Sequence, residues 1–208
     1  MPHFKTITVP CGLIGIWHLT ESSTDLTRYF SIGELEDFTF QQFTNEKRKV
    51  EWLAIRCLIK KMIGSDFLIS YAKSGKPILS HIKFRHLSIS HSRDFAVVFV
   101  HENLDVGIDI ENISRNYTAI EKRYLSDEEL IIVNRDAKLQ CLYWCAKEAI
   151  FKLVPDEGVE FKQQILISSF NPELEDHFLA KYTSENTNSI YQLHFLIFSG
   201  HCVVWVAG

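Results

Sequence analysis

The chain has 208 residues, 46% of them hydrophobic and 23% charged, with a formal net charge of −4. That composition is ordinary for a globular protein and leaves room for one sizeable core or two small ones. Its longest apolar runs, such as residues 95–100, are far too short to cross a bilayer, and the N-terminus lacks the basic-then-apolar pattern of a secretory signal.

The elements follow in chain order. Residues 13–17 (Leu-Ile-Gly-Ile-Trp) are strand-like. A helix is predicted from about Asn45 to Ile63, with Thr44 placed to cap it and Gly64 placed to stop it. Val50, Leu53, Ala54, Cys57 and Leu58 form its apolar stripe, while Arg48, Trp52, Arg56 and Lys60 recur every fourth residue on a different face. Ser74-Gly-Lys-Pro77 reads as a turn, and two strands follow at Leu87–Ser90 and Phe95–Val100.

Residues 106–111 (Val-Gly-Ile-Asp-Ile-Glu) alternate apolar and polar with the period of a strand. Asp109 and Glu111 then share a face, roughly 6.6 Å apart along the strand. Gly107 shares that face and leaves the backbone open to close approach. Ser126 with Glu129 is a capping-box pattern opening a short helix. A longer helix is predicted from Leu139 to Val154, ending at Pro155 and Gly158, with Leu142, Ala146, Ala149, Ile150 and Leu153 on its apolar side. Glu148 and Lys152 lie one turn apart beside Trp144 and Phe151, and a helix with large aromatics on both faces is expected to be central. Strands at Gln164–Phe170, Ile190–Phe198 and Cys202–Ala207 complete the chain. Ile113, Tyr117, Ile120 and Tyr124 recur at helical spacing and read equally as an apolar docking surface or as core. The five cysteines, an odd number, do not form a disulfide framework, and Cys141 and Cys145 are expected to be reduced and packed. The expected compartment is the cytoplasm.

Charge is unevenly distributed. Residues 47–93 hold eleven Lys and Arg against two acids, whereas residues 106–208 hold nine against fifteen. An anionic ligand on the first segment and a cation on the second would explain this, and so would solvated faces of opposite sign. The basic block is short and lacks interleaved aromatics, which argues against nucleic acid as a partner. At a constant offset of 92 residues, Gly15 falls on Gly107, Trp52 on Trp144, Ala54 on Ala146 and Lys60 on Lys152. The expected architecture is therefore α+β, a pseudo-twofold duplication of similar α/β halves at 1–104 and 105–208 with a site in the cleft between them.

Asp109, Glu111 and Glu148 are candidate ligands for Mg²⁺ or Mn²⁺, since oxygen-only donors suit hard cations. Exposed polar residues on a half-buried strand would show the same Asp109 and Glu111 pattern. Lys152 could pair with Glu148 or neutralise a phosphate.

The order of these elements resembles the 4′-phosphopantetheinyl transferases, in their larger two-half monomeric class. The matching stretches are 47–56, Ser74–Pro77, residues 87–92 (Leu-Ser-Ile-Ser-His-Ser), 106–111, the Leu-Ser-x-x-Glu pattern of 125–129, and Trp144-Cys-Ala-Lys-Glu-Ala-Ile-Phe-Lys152. The resemblance implies transfer of the phosphopantetheine arm of coenzyme A to a serine of an acyl or peptidyl carrier protein, releasing 3′,5′-ADP; a monomer is expected because both halves of a site occur in one chain, and the composition leaves no membrane or nucleic-acid partner expected. It implies Mg²⁺ on Asp109, Glu111 and Glu148, with Glu148 the candidate base, directly or through a water. Lys152 would offset charge on the departing 3′,5′-ADP or protonate it. Lys76, Ser90 and His91, with Lys47, Arg48 and Arg56, would contact the coenzyme A phosphates. A catalytically silent coenzyme A or carrier-protein binding module is the alternative of a different class.

Overall fold

The computed structural model describes residues 4–30, 39–156 and 158–208. The chain divides into two compact units, Met1–Glu102 and Asn103–Gly208. In the first, β1 (Phe4–Val9) and β2 (Gly12–His18) form a hairpin that turns at Cys11, whose φ is 53°. β5 (His86–His91) and β6 (Phe95–His101) form a second hairpin around the two expected strands. β6 pairs antiparallel with β2, which gives the sheet order β1-β2-β6-β5. A separate small hairpin, β3 (Leu68–Tyr71) and β4 (Pro77–Ser80), turns through Ser74 to Lys76, where Gly75 takes φ 86° and Ala72 N donates to Lys76 O.

Helix α1 (Ser23–Leu26) is one turn long, and helix α2 (Glu46–Ile63) packs on β2 and β6. The cap of α2 is Asn45 and not Thr44: the Asn45 Oδ1 accepts from Lys47 N at 2.8 Å. Either type caps well, but Asn45 is the extended residue that adjoins the first helical turn. Leu53, Ala54, Cys57 and Leu58 are buried as the stripe requires, with Val50 at its edge. The other face is not an open basic strip. Phe40 and Phe43 lie 5.4 and 6.3 Å from the Trp52 ring, and the Arg56 guanidinium lies 3.3 Å from its centre. The middle of that face is thereby internal.

The second unit begins with β7 (Val106–Asn112), whose apolar residues alternate with Gly107, Asp109 and Glu111. Short helices α3 (Glu121–Tyr124) and α4 (Asp127–Val133) precede the long helix α5 (Ala137–Leu153), which starts two residues before the expected Leu139 because Asp136 caps it. After α6 (Phe161–Gln164) come β8 (Ile165–Ile167), β9 (His177–Thr183), β10 (Asn188–Phe198) and β11 (His201–Ala207), in the antiparallel order β7-β11-β10-β9-β8. The fold is thus mixed α and β, with antiparallel sheets.

α5 lies across β7 and β11. The close approach that Gly107 allows is used by the protein itself: a Cβ there would sit 1.9 Å from the Ala149 carbonyl oxygen. Gly15 of β2 occupies the same kind of position, where a Cβ would meet Met62 and Leu58 of α2. Both units run from a glycine-bearing strand through a long helix to a hairpin, whose last strand pairs antiparallel with the first.

A buried ion pair ties the helical part of the second unit together. The Lys147 ammonium, wholly buried, donates to Glu129 Oε2 at 2.7 Å, to Ile165 O at 2.6 Å and to Phe161 O at 3.1 Å. Glu129 completes the expected capping box by accepting from Ser126 N, and its other oxygen accepts from Ile167 N at 2.8 Å. Burial pushes the Lys147 pKa down and Glu129 opposes that shift. Removing one partner of such a pair strands the other charge, so Lys147→Met should cost about 3–5 kcal/mol of unfolding free energy in urea. Lys147→Met with Glu129→Gln should cost less than the single change. A single variant as stable as the wild type would contradict the assigned role.

Candidate active site

Strand alternation turns Asp109 and Glu111 to the α5 side of β7, and the helix brings Glu148 and Lys152 to the same place. The Lys152 ammonium donates to Asp109 Oδ1 at 2.7 Å and to Ile108 O at 3.0 Å. Of the sequence-based alternatives for Lys152, the ion pair it forms is therefore across to the strand and not along the helix to Glu148. Glu111 accepts from Arg115, whose guanidinium also lies over the Trp144 ring at 5.1 Å.

Glu111 is pushed up to about 7, first by burial and then by the charge of Asp109, with Arg115 opposing. Glu148 is pushed up to about 7 by the same two causes, with Lys152 and Arg115 opposing. Asp109 thus acts electrostatically on both glutamates, and the three carboxylates form one electrostatic cluster. They do not form a closed metal cage: among the described residues no group of three or more His, Cys, Asp or Glu is close enough to hold a metal ion. The donor chemistry still fits a hard divalent cation: three oxygen-donor carboxylates, two of them raised toward neutrality by burial first and by the Asp109 charge second.

Beside this cluster is a cavity of about 590 Å³, lined by Arg115, Ile120, Arg123, Tyr124, Trp144, Val159, Glu160, Phe161 and Gln163. Of the two readings of Tyr117 and Tyr124, docking surface or core, the structure bears out core. Tyr117 and Tyr124 are 1% exposed; Tyr117 donates to Asn112 O and Tyr124 to Gln140 O. Ile113 and Ile120 pack partly buried against that core. Cys141 and Cys145 are free thiols, fully buried, in agreement with the packed reading.

In the first unit, three of the candidate phosphate contacts converge on one buried carboxylate. Lys47 Nζ and Arg48 Nη1 are each 3.6 Å from Glu51, and His91 Nδ1 is 3.4 Å from it. Ser90 precedes His91 on β5 and is nearly buried. Lys76 sits in the β3–β4 turn. Arg56 is 2% exposed and engages Trp52 of its own helix, which suits packing better than an open phosphate contact. Glu51 and Arg115 were not singled out by the sequence reading. Their spacing, i+4 from Lys47 and i+4 from Glu111, is the signal that could have found them.

The sequence pattern of the 4′-phosphopantetheinyl transferase superfamily matches residues 105–203, which contain β7, α5 and every carboxylate and lysine of this cluster. The segment that carries the cluster is thus similar to that superfamily. The chain is also 35% identical over 130 residues to the 4′-phosphopantetheinyl transferase psf-1 of Bacillus pumilus, covering 59% of this chain and 53% of that protein. It is 29% identical over 129 residues to the 4′-phosphopantetheinyl transferase AcpT of Salmonella typhimurium, covering 59% of this chain and 67% of that one. The match therefore spans about half the length of psf-1. No helix among the described residues is long and apolar enough to cross a membrane.

The raised glutamates give a stability signature in metal-free protein. Folding favours their protonated forms, so their contribution is fully present below the ordinary value of 4.5 and is lost as pH rises through about 7. The thermal midpoint should fall as pH rises from about 4.5 to about 7, and Glu111→Gln with Glu148→Gln should flatten that fall. An equal fall in the double variant would contradict the assignment.

Proposed function

We propose that the protein transfers the 4′-phosphopantetheine arm of coenzyme A to a serine hydroxyl of an apo acyl or peptidyl carrier protein. The observation that carries this reading is the juxtaposition on β7 and α5 of Asp109, Glu111, Glu148 and Lys152, within the segment that matches the superfamily. Asp109, Glu111 and Glu148 are the residues that would hold Mg²⁺ or Mn²⁺. When bound there, the cation supplies positive charge to the coenzyme A pyrophosphate.

The protein's own groups account for the rest. Glu148 is the candidate to take the serine proton, directly or through a water. The serine oxygen then forms its bond to the pantetheine-bearing phosphorus as the bond to 3′,5′-ADP breaks. Lys152, held beside Asp109, offsets the charge that develops on the departing phosphate. We assign the phosphate grip to the N-terminal half, with Lys47, Arg48, Lys76, Ser90 and His91 as its donors, and the metal and catalytic groups to the C-terminal half. Their like connectivity and the 92-residue offset support a duplicated origin. The cavity beside Arg115 and Trp144 has the size and mixed apolar and cationic lining to take a neutral, amide-bearing arm next to a phosphate.

The test is direct. The protein is incubated with coenzyme A, Mg²⁺ and apo-carrier proteins, and the carrier is weighed by intact mass. The expected result is a carrier heavier by one phosphopantetheine, with 3′,5′-ADP released. Asp109→Asn or Glu148→Gln should slow transfer at least about 100-fold, because each removes an interaction worth several kcal/mol. Coenzyme A binding with no mass gain on any carrier would instead favour a silent binding module.

A further inference from the structure

Lys47, Arg48 and His91 share one feature that a phosphate grip does not require. At their centre is a carboxylate. Glu51 is 4% exposed, lies in the second turn of α2, and faces Lys47, Arg48 and the β5 residue His91. Lys47 and Arg48 are themselves more than half exposed, so without Glu51 their long side chains would sample many rotamers in water. Glu51 also lines a cavity of about 330 Å³ with Leu19, Glu21, Lys47, Val50 and Arg93, so its contacts lie at an opening and not in sealed core.

Hydrogen-bond inventory gives the direction of each contact. Arg48 Nη1 lies 3.5 Å from His91 Nε2, and a guanidinium only donates, so Nε2 is the acceptor there. Nδ1, on the Glu51 side, then carries the imidazole proton. Glu51 thus orients the His91 ring and restrains two cationic side chains together, from one position on a rigid helix.

We propose that Glu51 is the positioning residue of the phosphate grip: it holds Lys47, Arg48 and His91 in a common array that an incoming phosphate finds already assembled. This inference rests on the reading of these residues as coenzyme A contacts. It makes a prediction opposite in sign to simple electrostatics. Through-space charge alone says that removing an anion next to an anion-binding site tightens binding. Preorganisation says that it loosens binding, because ordering of the side chains must then occur when the ligand arrives.

The experiment measures binding of 3′,5′-ADP by calorimetry to the full chain and to Glu51→Gln, together with KM for coenzyme A and kcat for carrier modification. The expected result is a Kd for 3′,5′-ADP and a KM for coenzyme A raised at least about tenfold, the cost of ordering the side chains when the ligand arrives. kcat at saturating coenzyme A should stay within about twofold, since the reacting groups are in the other unit and uniform binding is what is lost. Glu51→Asp, which keeps the charge on a shorter arm, should fall between wild type and Glu51→Gln. Unchanged or tighter 3′,5′-ADP binding in Glu51→Gln would overturn the proposal. If Glu51→Gln does not fold, Glu51→Asp decides, with weakened binding in support and wild-type affinity against. Failure of the wild type to bind 3′,5′-ADP at all would overturn the phosphate-grip reading itself, and the proposal with it.

Discussion

The candidate site depends on how closely a helix can approach a strand. Gly107 and the Ala149 carbonyl leave no room between them for even one methyl group. Because α5 lies so close to β7, the Lys152 ammonium reaches both a strand carbonyl and Asp109. Glu148, one turn earlier, comes near enough for Asp109 to raise its pKa. A larger residue at position 107 would lift the helix and lengthen each of these contacts together. Such interfaces do not deform smoothly, since packed interiors transmit strain instead of absorbing it.

The approach is supported from another side of the helix. Lys147 adjoins Glu148 in sequence but points away from it, into a buried bond with Glu129 and two carbonyls. Consecutive residues of the Lys-Glu pair therefore have separate tasks, one anchoring α5 to α4, α6 and β8, the other facing the carboxylate cluster. The two units handle charge in complementary ways. In the second, acids predominate and Lys152 and Arg115 restrain them. In the first, cations predominate and one buried acid gathers them.

Much of the backbone was legible because the decisive elements obey simple periods. The alternation of residues 106–111 gave β7, and the apolar spacing after Leu139 gave α5. The cap of α2 was misplaced by one residue because Thr44 and Asn45 are both competent caps. Strands β1, β3, β4 and β9 were not read. They are short or interleaved with Lys, Ser and Thr, and β9 (His-Phe-Leu-Ala-Lys-Tyr-Thr) buries every second residue behind an unremarkable composition. Tyr117 and Tyr124 show the limit of periodicity: their spacing marks a shared face but not whether another element covers it. The residue types around the carboxylates could be named from sequence, whereas the way they are compensated could not. His91 meets Glu51 from forty positions away, and Lys152 meets Asp109 from forty-three. Gly107 was legible as a place of close approach, but only the fold identifies the approaching group as the helix itself.

On the proposed function, the α5–β7 contact at Gly107 builds the site of phosphopantetheine transfer. The most direct measurement compares the rate of carrier modification, by intact mass, for wild type and Gly107→Ala, with far-UV circular dichroism confirming that both are folded. The expected result is a loss of at least about 100-fold in folded Gly107→Ala, because displacement on the order of an ångström misaligns groups that act by position. A folded Gly107→Ala protein that modifies its carrier at the wild-type rate would contradict it.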